Sequence, residues 1–404
     1  MGSCAHTMVL SFKKKSDSEQ NICAQKCIKG VEEDYLFQLV IAQTQSGKTG
    51  MMVSVANSYK GDVVVMTGLS SIDWKKQTIS RFPKNVPVYH RNDLKNVKIK
   101  KNSLILIDEV QYASGAGMTL DGLLSTCGCK DVENLTKMNV HFVLVSATPN
   151  RIFDDILLLR EEAVKCRVLT MRPGKGYVGL KDLYDRGMLL EAQDLWVVED
   201  VDEFQNAGVK RWYDKEVCKS LDAIKVVKDL VVEKYQEPVY VIIRTPAALR
   251  GETVRNRVMS VFGTDYDYMV CDMSTKIDVM TVVTKKPSKT TVLFIKEQLR
   301  CAATLHKEYI GVLYDRVSGM DNVMVQGLAG RATGYDVHDK LVVFSNVKSI
   351  LKYMEIVENS FEKFETLKYC GGMSMMHPES GFVGDSTVDS SISSISGVPP
   401  PRDG

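Results

Sequence analysis

Short apolar runs recur along the chain, separated by longer mixed segments. Phe37–Ala42, Val63–Met66, Leu104–Ile107 and Phe142–Val145 are rich in Val, Ile and Leu and largely lack polar alternation. Runs of this kind read as strands covered on both faces, as in a parallel sheet. The segments between them, Lys48–Tyr59 and Ile72–Phe82, have helix length, so the rhythm is βαβ. It is lost from about Arg151 to Glu237, a stretch that reads as mostly helical with Trp196 and Trp212 as core anchors. A second series then begins, with Val239–Ile243, Val292–Ile295, Tyr309–Leu313 and Leu341–Phe344 as its strands. A last helix is predicted over Val347–Leu367.

At 404 residues the chain is too long for one compact domain. The pattern predicts an α/β protein with two parallel-sheet domains in tandem, at 21–165 and 238–350. Residues 166–237 are expected to form a helical connector or insertion, and 351–372 a terminal helix. Residues 1–20 are polar and carry Lys13, Lys14 and Lys15, and read as a disordered lead-in. The tail 373–404 is rich in Ser and Gly and ends in PPPRDG, too poor in apolar residues to pack.

Composition changes this picture little. Lys plus Arg is 52 against 50 Asp plus Glu, a net charge of +2, so any groove for a polyanion must be a local concentration of charge. The ten cysteines form no repeated CxxC framework, and the nearest pairs are Cys23/Cys27 and Cys127/Cys129. With six scattered histidines, no zinc spacing appears. Neither a signal peptide nor an apolar run long enough to span a bilayer is visible. The expectation is a soluble, intracellular protein with free thiols.

The chemistry concentrates in four places. IAQTQSGKTG, Ile41 to Gly50, follows the first apolar run and precedes a helix. In that context the loop's backbone N–H groups and the helix start point at phosphate oxygens. Lys48 would reach the β- and γ-phosphates of ATP, and the Thr49 hydroxyl would bind Mg²⁺. Ala42 stands where the strict phosphate-loop pattern has its first glycine. LILIDEVQYAS, Leu104 to Ser114, ends a buried strand in Asp108 and Glu109. Asp108 would hold Mg²⁺, and Glu109 would orient and deprotonate the attacking water.

Together these segments resemble the superfamily 2 helicases and translocases over about residues 20–350. Ala42, Thr44, Ser46, Gly47, Lys48 and Thr49 match that family's motif I, with Gln45 in place of a common glycine. Asp108 to Gln111 resembles the DEAD/DEAH box in a DExQ form, and Phe142 to Asn150 resembles motif III through Ser146, Ala147 and Thr148. Val325 to Asp336 resembles motif VI, in which Arg331 would be the arginine finger offsetting charge on the transferring phosphoryl group. The family often reads Gln-x-x-Gly-Arg-x-x-Arg there. Here Gln326 lies one residue too far from Arg331, and Gly334 stands where a second arginine is common. Weaker likenesses are Val63–Gln77 to motif Ia, Val239–Leu249 to motif IV and Phe294–Leu305 to motif V.

The resemblance implies two RecA-like domains that hydrolyse ATP with Mg²⁺ in the cleft between them. The implied catalytic set is Lys48, Asp108, Glu109, Gln111 and Arg331. The nucleotide loop is Ala42, Gln43, Thr44, Gln45, Ser46, Gly47, Lys48 and Thr49, and the metal ligands are Thr49 and Asp108. Thr67, Ser70, Ser71 and Thr245 are candidate phosphate contacts of a nucleic acid, DNA before RNA, and Lys296 and Arg300 are candidates for the nucleic acid or the nucleotide. Trp74 reads as core rather than as a base-stacking residue. The adenine-reading glutamine is either Gln20 or Gln25. The basic run Tyr89, His90, Arg91, Lys95, Lys98, Lys100 and Lys101 is either a solvated loop or a flank of the nucleic-acid groove. The short core resembles small helicases of phages and large DNA viruses. A viral DNA-packaging ATPase of terminase type and a non-catalytic nucleic-acid-binding scaffold are the alternatives.

Overall fold

The computed structural model describes residues 18–368 apart from 114–118, 127–131, 150–151, 153–163, 196–206, 247, 273, 276, 297–298, 300–303 and 362–366. Trp196, Arg300, Cys127, Cys129, most of the 1–20 lead-in and the 373–404 tail lie outside the described residues, as does the side chain of Trp212.

The first unit is a six-stranded sheet in the order β3-β2-β4-β5-β1-β6. Its strands are β1 (Phe37–Ala42), β2 (Asp62–Thr67), β3 (Val88–Tyr89), β4 (Ser103–Asp108), β5 (His141–Ser146) and β6 (Cys166–Met171). Every neighbouring pair is parallel. The central strands β1, β4 and β5 are buried at every position, which is why they read as mostly apolar runs without polar alternation. Phe37 and Phe142 stack between β1 and β5 with ring centroids 4.8 Å apart. Helices α1 (Glu19–Glu32), α2 (Lys48–Ser58), α3 (Ile72–Arg81), α4 (Thr119–Thr126) and α5 (Val132–Met138) accompany the sheet.

The second unit repeats the plan in the order β7-β12-β11-β8-β10-β9, again all parallel. Its strands are β7 (Leu189–Glu191), β8 (Tyr240–Arg244), β9 (Asp267–Cys271), β10 (Thr291–Ile295), β11 (Ile310–Tyr314) and β12 (Val342–Ser345). Its helices are α6 (Leu180–Asp185), α7 (Ala207–Lys234), α8 (Ala248–Phe262), α9 (Val279–Val282), α10 (Asp321–Val325), α11 (Leu328–Ala332) and α12 (Val347–Glu358). The protein is thus α/β, two RecA-like parallel-sheet units in tandem. One buried apolar cluster runs from Ile41 and Leu144 of the first sheet through Val178, Leu180 and Leu183 to Leu293, Leu313 and Val343 of the second.

Three expectations need correction. Residues 166–237 are not simply a helical connector: β6 completes the first sheet and β7 the second, and the long helix begins only at Ala207. Both strands lie at sheet edges, and in β6 only Met171 is fully buried, so neither leaves an apolar run to read. The terminal helix ends at Glu358 rather than near 367, because Ser360 and Phe361 take positive φ (54° and 66°), which turns the chain. The lead-in also reaches less far than residue 20. Ser18 caps α1 by accepting from the Asn21 N–H, which makes Glu19 and Gln20 helical.

Candidate functional site

Because all strands run parallel, the C-terminal ends of β1, β4 and β5 open on one edge of the first sheet. The register places Ile41 beside Ser146 and Asp108 beside Val145. The phosphate-loop candidate, the acidic pair and the Ser-Ala-Thr segment therefore share that edge.

The loop Gln43–Ser46 leads into α2, whose first residue is Lys48. Gly47 caps the helix at φ 104°, a conformation that a side chain would strain. Gln45 sits at φ 54°, holding the left-handed geometry although it is not glycine. The Lys48 ammonium and the Ser46 hydroxyl both donate to the Gln43 carbonyl, at 3.2 and 2.7 Å. Ala42 is the buried last residue of β1, and Thr49 is half-buried beside Lys48. Of the two glutamines near the N-terminus, only Gln20 lies on this loop. A Cβ added to Gly47 would fall 2.0 Å from its amide nitrogen, whereas Gln25 is exposed.

Asp108 and Glu109 are both buried. The Trp74 indole N–H donates to Asp108 Oδ2 at 2.9 Å, so this tryptophan is a core residue that also orients the carboxylate. Burial, with Glu109 beside it, pushes Asp108 up to about 6, against the pull of the Trp74 N–H and the Lys48 ammonium. A buried carboxylate held this way is suited to a cation. Among the described residues no group of three or more His, Cys, Asp or Glu could enclose a metal. Asp108 and Thr49 are the residues at this edge that could hold a cation.

Glu109 has φ 50°, which turns the chain sharply after β4. Its Oε2 accepts from the Gln111 side-chain amide at 2.6 Å and from the Gln326 amide at 3.1 Å. Gln326 Nε2 also reaches Thr148 Oγ1 at 2.8 Å, and the Tyr112 hydroxyl donates to Gln326 Oε1 at 2.9 Å. Ser146 Oγ accepts from the Thr148 N–H and donates to Gln111 Oε1 at 2.7 Å, which closes a ring of buried polar groups. Gln326 comes from the second unit, between α10 and α11, so the ring spans the cleft. The shifted spacing that set Gln326 apart from the motif does not keep it out of the site.

Other contacts cross the same cleft. Thr44 and Thr333 bring their hydroxyls to 3.1 Å, and Thr333 also donates to the Thr44 carbonyl. The Tyr177 hydroxyl reaches that carbonyl too, at 2.6 Å, and Tyr335 donates to the Ser46 carbonyl at 3.1 Å. Tyr353 of α12 donates to the Ala147 carbonyl at 3.1 Å. Within the second unit, Arg331, buried on α11, donates to the Gln326 carbonyl at 3.2 Å. Tyr177, Tyr335 and Tyr353 carry no signal in the sequence, since a tyrosine hydroxyl is assigned only once its partner is known.

The candidate phosphate contacts divide. Thr67 is fully buried, and its hydroxyl accepts from the Leu69 N–H; Thr245 is buried, and its hydroxyl donates to the Ile295 carbonyl. Neither side chain is presented at the surface: Thr67 ends β2, Thr245 follows β8, and each satisfies the backbone there. Ser71 is used as the cap of α3, accepting from the Trp74 N–H, and Ser70 is exposed. In the basic run, His90 and Lys75 both close on Asp93, at 2.9 and 2.7 Å. The Arg91 N–H donates to the Leu69 carbonyl, which brings the run beside Ser70. Lys95, Lys98, Lys100 and Lys101 are exposed.

No protein-family description matches the chain. A protein of Acanthamoeba polyphaga mimivirus, uncharacterized protein L594, is 25% identical over 382 residues, with 84% of this chain and 87% of that protein covered. Among solved structures, the Escherichia coli DEAH/RHA helicase HrpB aligns with a TM-score of 0.49 at 12% identity, over 83% of this chain and 44% of HrpB. The chain thus spans less than half the length of HrpB. Dbp5 of S. cerevisiae, bound to RNA and ADP BeF3, aligns with a TM-score of 0.45 at 11% identity, over 85% of this chain and 92% of Dbp5. No described helix is long and apolar enough to cross a membrane.

Proposed function

We propose that the chain is a nucleic-acid-dependent ATPase of the helicase or translocase type, which hydrolyses ATP between its two sheets. One observation carries this reading. The acid best placed to activate water, Glu109, shares its oxygen between Gln111 of its own unit and Gln326 of the other. A single-domain ATPase has no need of such a bridge, whereas an enzyme that works by opening and closing a cleft does.

The chemistry follows from the side chains. Lys48 and the loop N–H groups hold the phosphates, with Gln43 to Ser46 shaping the backbone. Asp108 and Thr49 would hold Mg²⁺, which would supply positive charge against the phosphoryl oxygens. Both amides donate to Glu109 Oε2, so the lone pairs of Oε1 are left to orient a water and take its proton. Arg331 meets the charge that develops on the transferring group. Gln20, lying on Gly47, is the residue proposed to contact the base. Ser70 and the exposed lysines between Lys95 and Lys101 are proposed to take the polymer backbone, DNA before RNA.

The test is steady-state ATP hydrolysis by the full chain alone and with single-stranded DNA, duplex DNA or RNA. Hydrolysis stimulated by at least one polymer is expected. No hydrolysis under any condition would leave a binding scaffold as the better reading, and hydrolysis indifferent to every polymer would remove the nucleic acid from the proposal.

A further inference from the structure

At the C-terminal edge of the second sheet lies a buried ion pair that the chemistry above does not use. Arg244 ends β8, and Asp315 follows β11, its immediate neighbour. Arg244 Nε stands 3.1 Å from Asp315 Oδ1, and the side chains are 10% and 4% exposed. Each partner has a second engagement. Arg244 Nη2 donates to the Leu299 carbonyl at 3.0 Å, in the loop after β10 that also holds Lys296. Asp315 Oδ2 accepts from the Leu328 N–H at 2.7 Å, where α11 begins, and Oδ1 accepts from the Arg316 N–H. Gly327 gives the carboxylate room: a Cβ there would lie 2.2 Å from Asp315 Oδ2 and 2.9 Å from the Val323 carbonyl.

Leu328 lies between Gln326, which reaches Glu109, and Arg331 one turn further on. The segment that carries Arg331 and the cleft-crossing Gln326 is therefore pinned at its middle to Asp315, and through Arg244 to the ends of β8 and β10. A buried pair contributes little net stability, because desolvation offsets most of its attraction, but removing one partner leaves an uncompensated charge. Such a pair defines a geometry more than it strengthens a fold. We propose that Arg244 and Asp315 are positioning residues that couple the strand ends β8 and β10 to the Gln326–Arg331 segment and so set the groups facing ATP. This rests on the ATPase reading given above.

The experiment compares wild type, Asp315→Asn and Arg244→Gln, each alone and combined with Arg331→Ala. Asp315→Asn keeps the shape of the side chain and removes its charge. The expected result is a loss of about tenfold in polymer-stimulated kcat with ATP KM within about twofold, and no further loss in the Arg331→Ala background. A merely structural role would lower activity by the same factor in both backgrounds, and that result would overturn the coupling. A second readout needs no ATPase activity. In hydrogen–deuterium exchange without ligand, 326–333 should exchange faster in Asp315→Asn, while β1, β4 and β5 exchange as in wild type. Unchanged exchange over 326–333 overturns the proposal even if the wild type proves inactive, an outcome that by itself would count only against the ATPase reading.

Discussion

The amide of Gln326 lies 3.1 Å from the carboxylate of Glu109, residues 217 positions apart in the chain and on opposite sides of the cleft. The same nitrogen is 2.8 Å from the Thr148 hydroxyl. One side chain of the second unit thus touches both the acidic turn and the Ser-Ala-Thr segment of the first.

Gln326→Ala should lower kcat about 10- to 100-fold with little change in ATP KM, because Glu109 loses an orienting donor that matters when water is attacked. Gln326→Glu should be worse, since it sets a second carboxylate against the first in a buried site. Steady-state kinetics of the two variants decide this; equal activity to wild type in both would make the contact incidental.

Glu109→Gln keeps the size of the side chain and removes its basicity. ATP should still bind, while turnover falls about 10²- to 10⁴-fold, the range that a positioned base contributes. The variant should remain on single-stranded polymer in the presence of ATP, measurable by fluorescence anisotropy. An unchanged turnover number would assign the base elsewhere.

Lys48→Ala and Arg331→Ala should differ in kind. Lys48 lies in the loop proposed to grip the phosphates, so its loss should abolish hydrolysis and also weaken nucleotide binding. Arg331 is proposed to meet charge that appears mainly in the transition state, so its loss should cut kcat strongly and ATP affinity much less. Equilibrium binding of a labelled nucleotide, set beside single-turnover hydrolysis, separates the two. Equal loss of binding in both variants would count against a finger role for Arg331.

Trp74→Phe removes the N–H that reaches Asp108 at 2.9 Å and keeps an aromatic ring in the core. Groups that orient a metal ligand typically account for about 10- to 100-fold in affinity or activity. The Mg²⁺ concentration giving half-maximal hydrolysis should therefore rise, while the melting temperature changes little. A fall in melting temperature with unaltered Mg²⁺ dependence would make Trp74 a packing residue alone.

What the sequence by itself determined is the centre of each sheet and the segments at its edge. β1, β4, β5, β8, β10 and β11 are covered on both faces, and burial on both faces forces unbroken runs of Val, Ile and Leu. The strand-end segments Ser46–Thr49 and Asp108–Glu109 were also legible, because a strand end and the turn or helix that follows it are adjacent in sequence. Only the tertiary structure decided the edge strands β3, β6, β7 and β9, since an edge strand of two to six residues is stabilised by the neighbour it pairs with and not by its own pattern. It also decided that Thr67 and Thr245 turn inward, that Trp74 serves Asp108, and that Gln20 rather than Gln25 lies on the loop. The polar ring through Glu109 and Gln326, the tyrosines at Thr44 and Ser46, and the Arg244–Asp315 pair join residues far apart in the chain. Hydrogen bonds act over about 3 Å, so their partners are set by how the two sheets pack and leave no periodicity in the sequence to read.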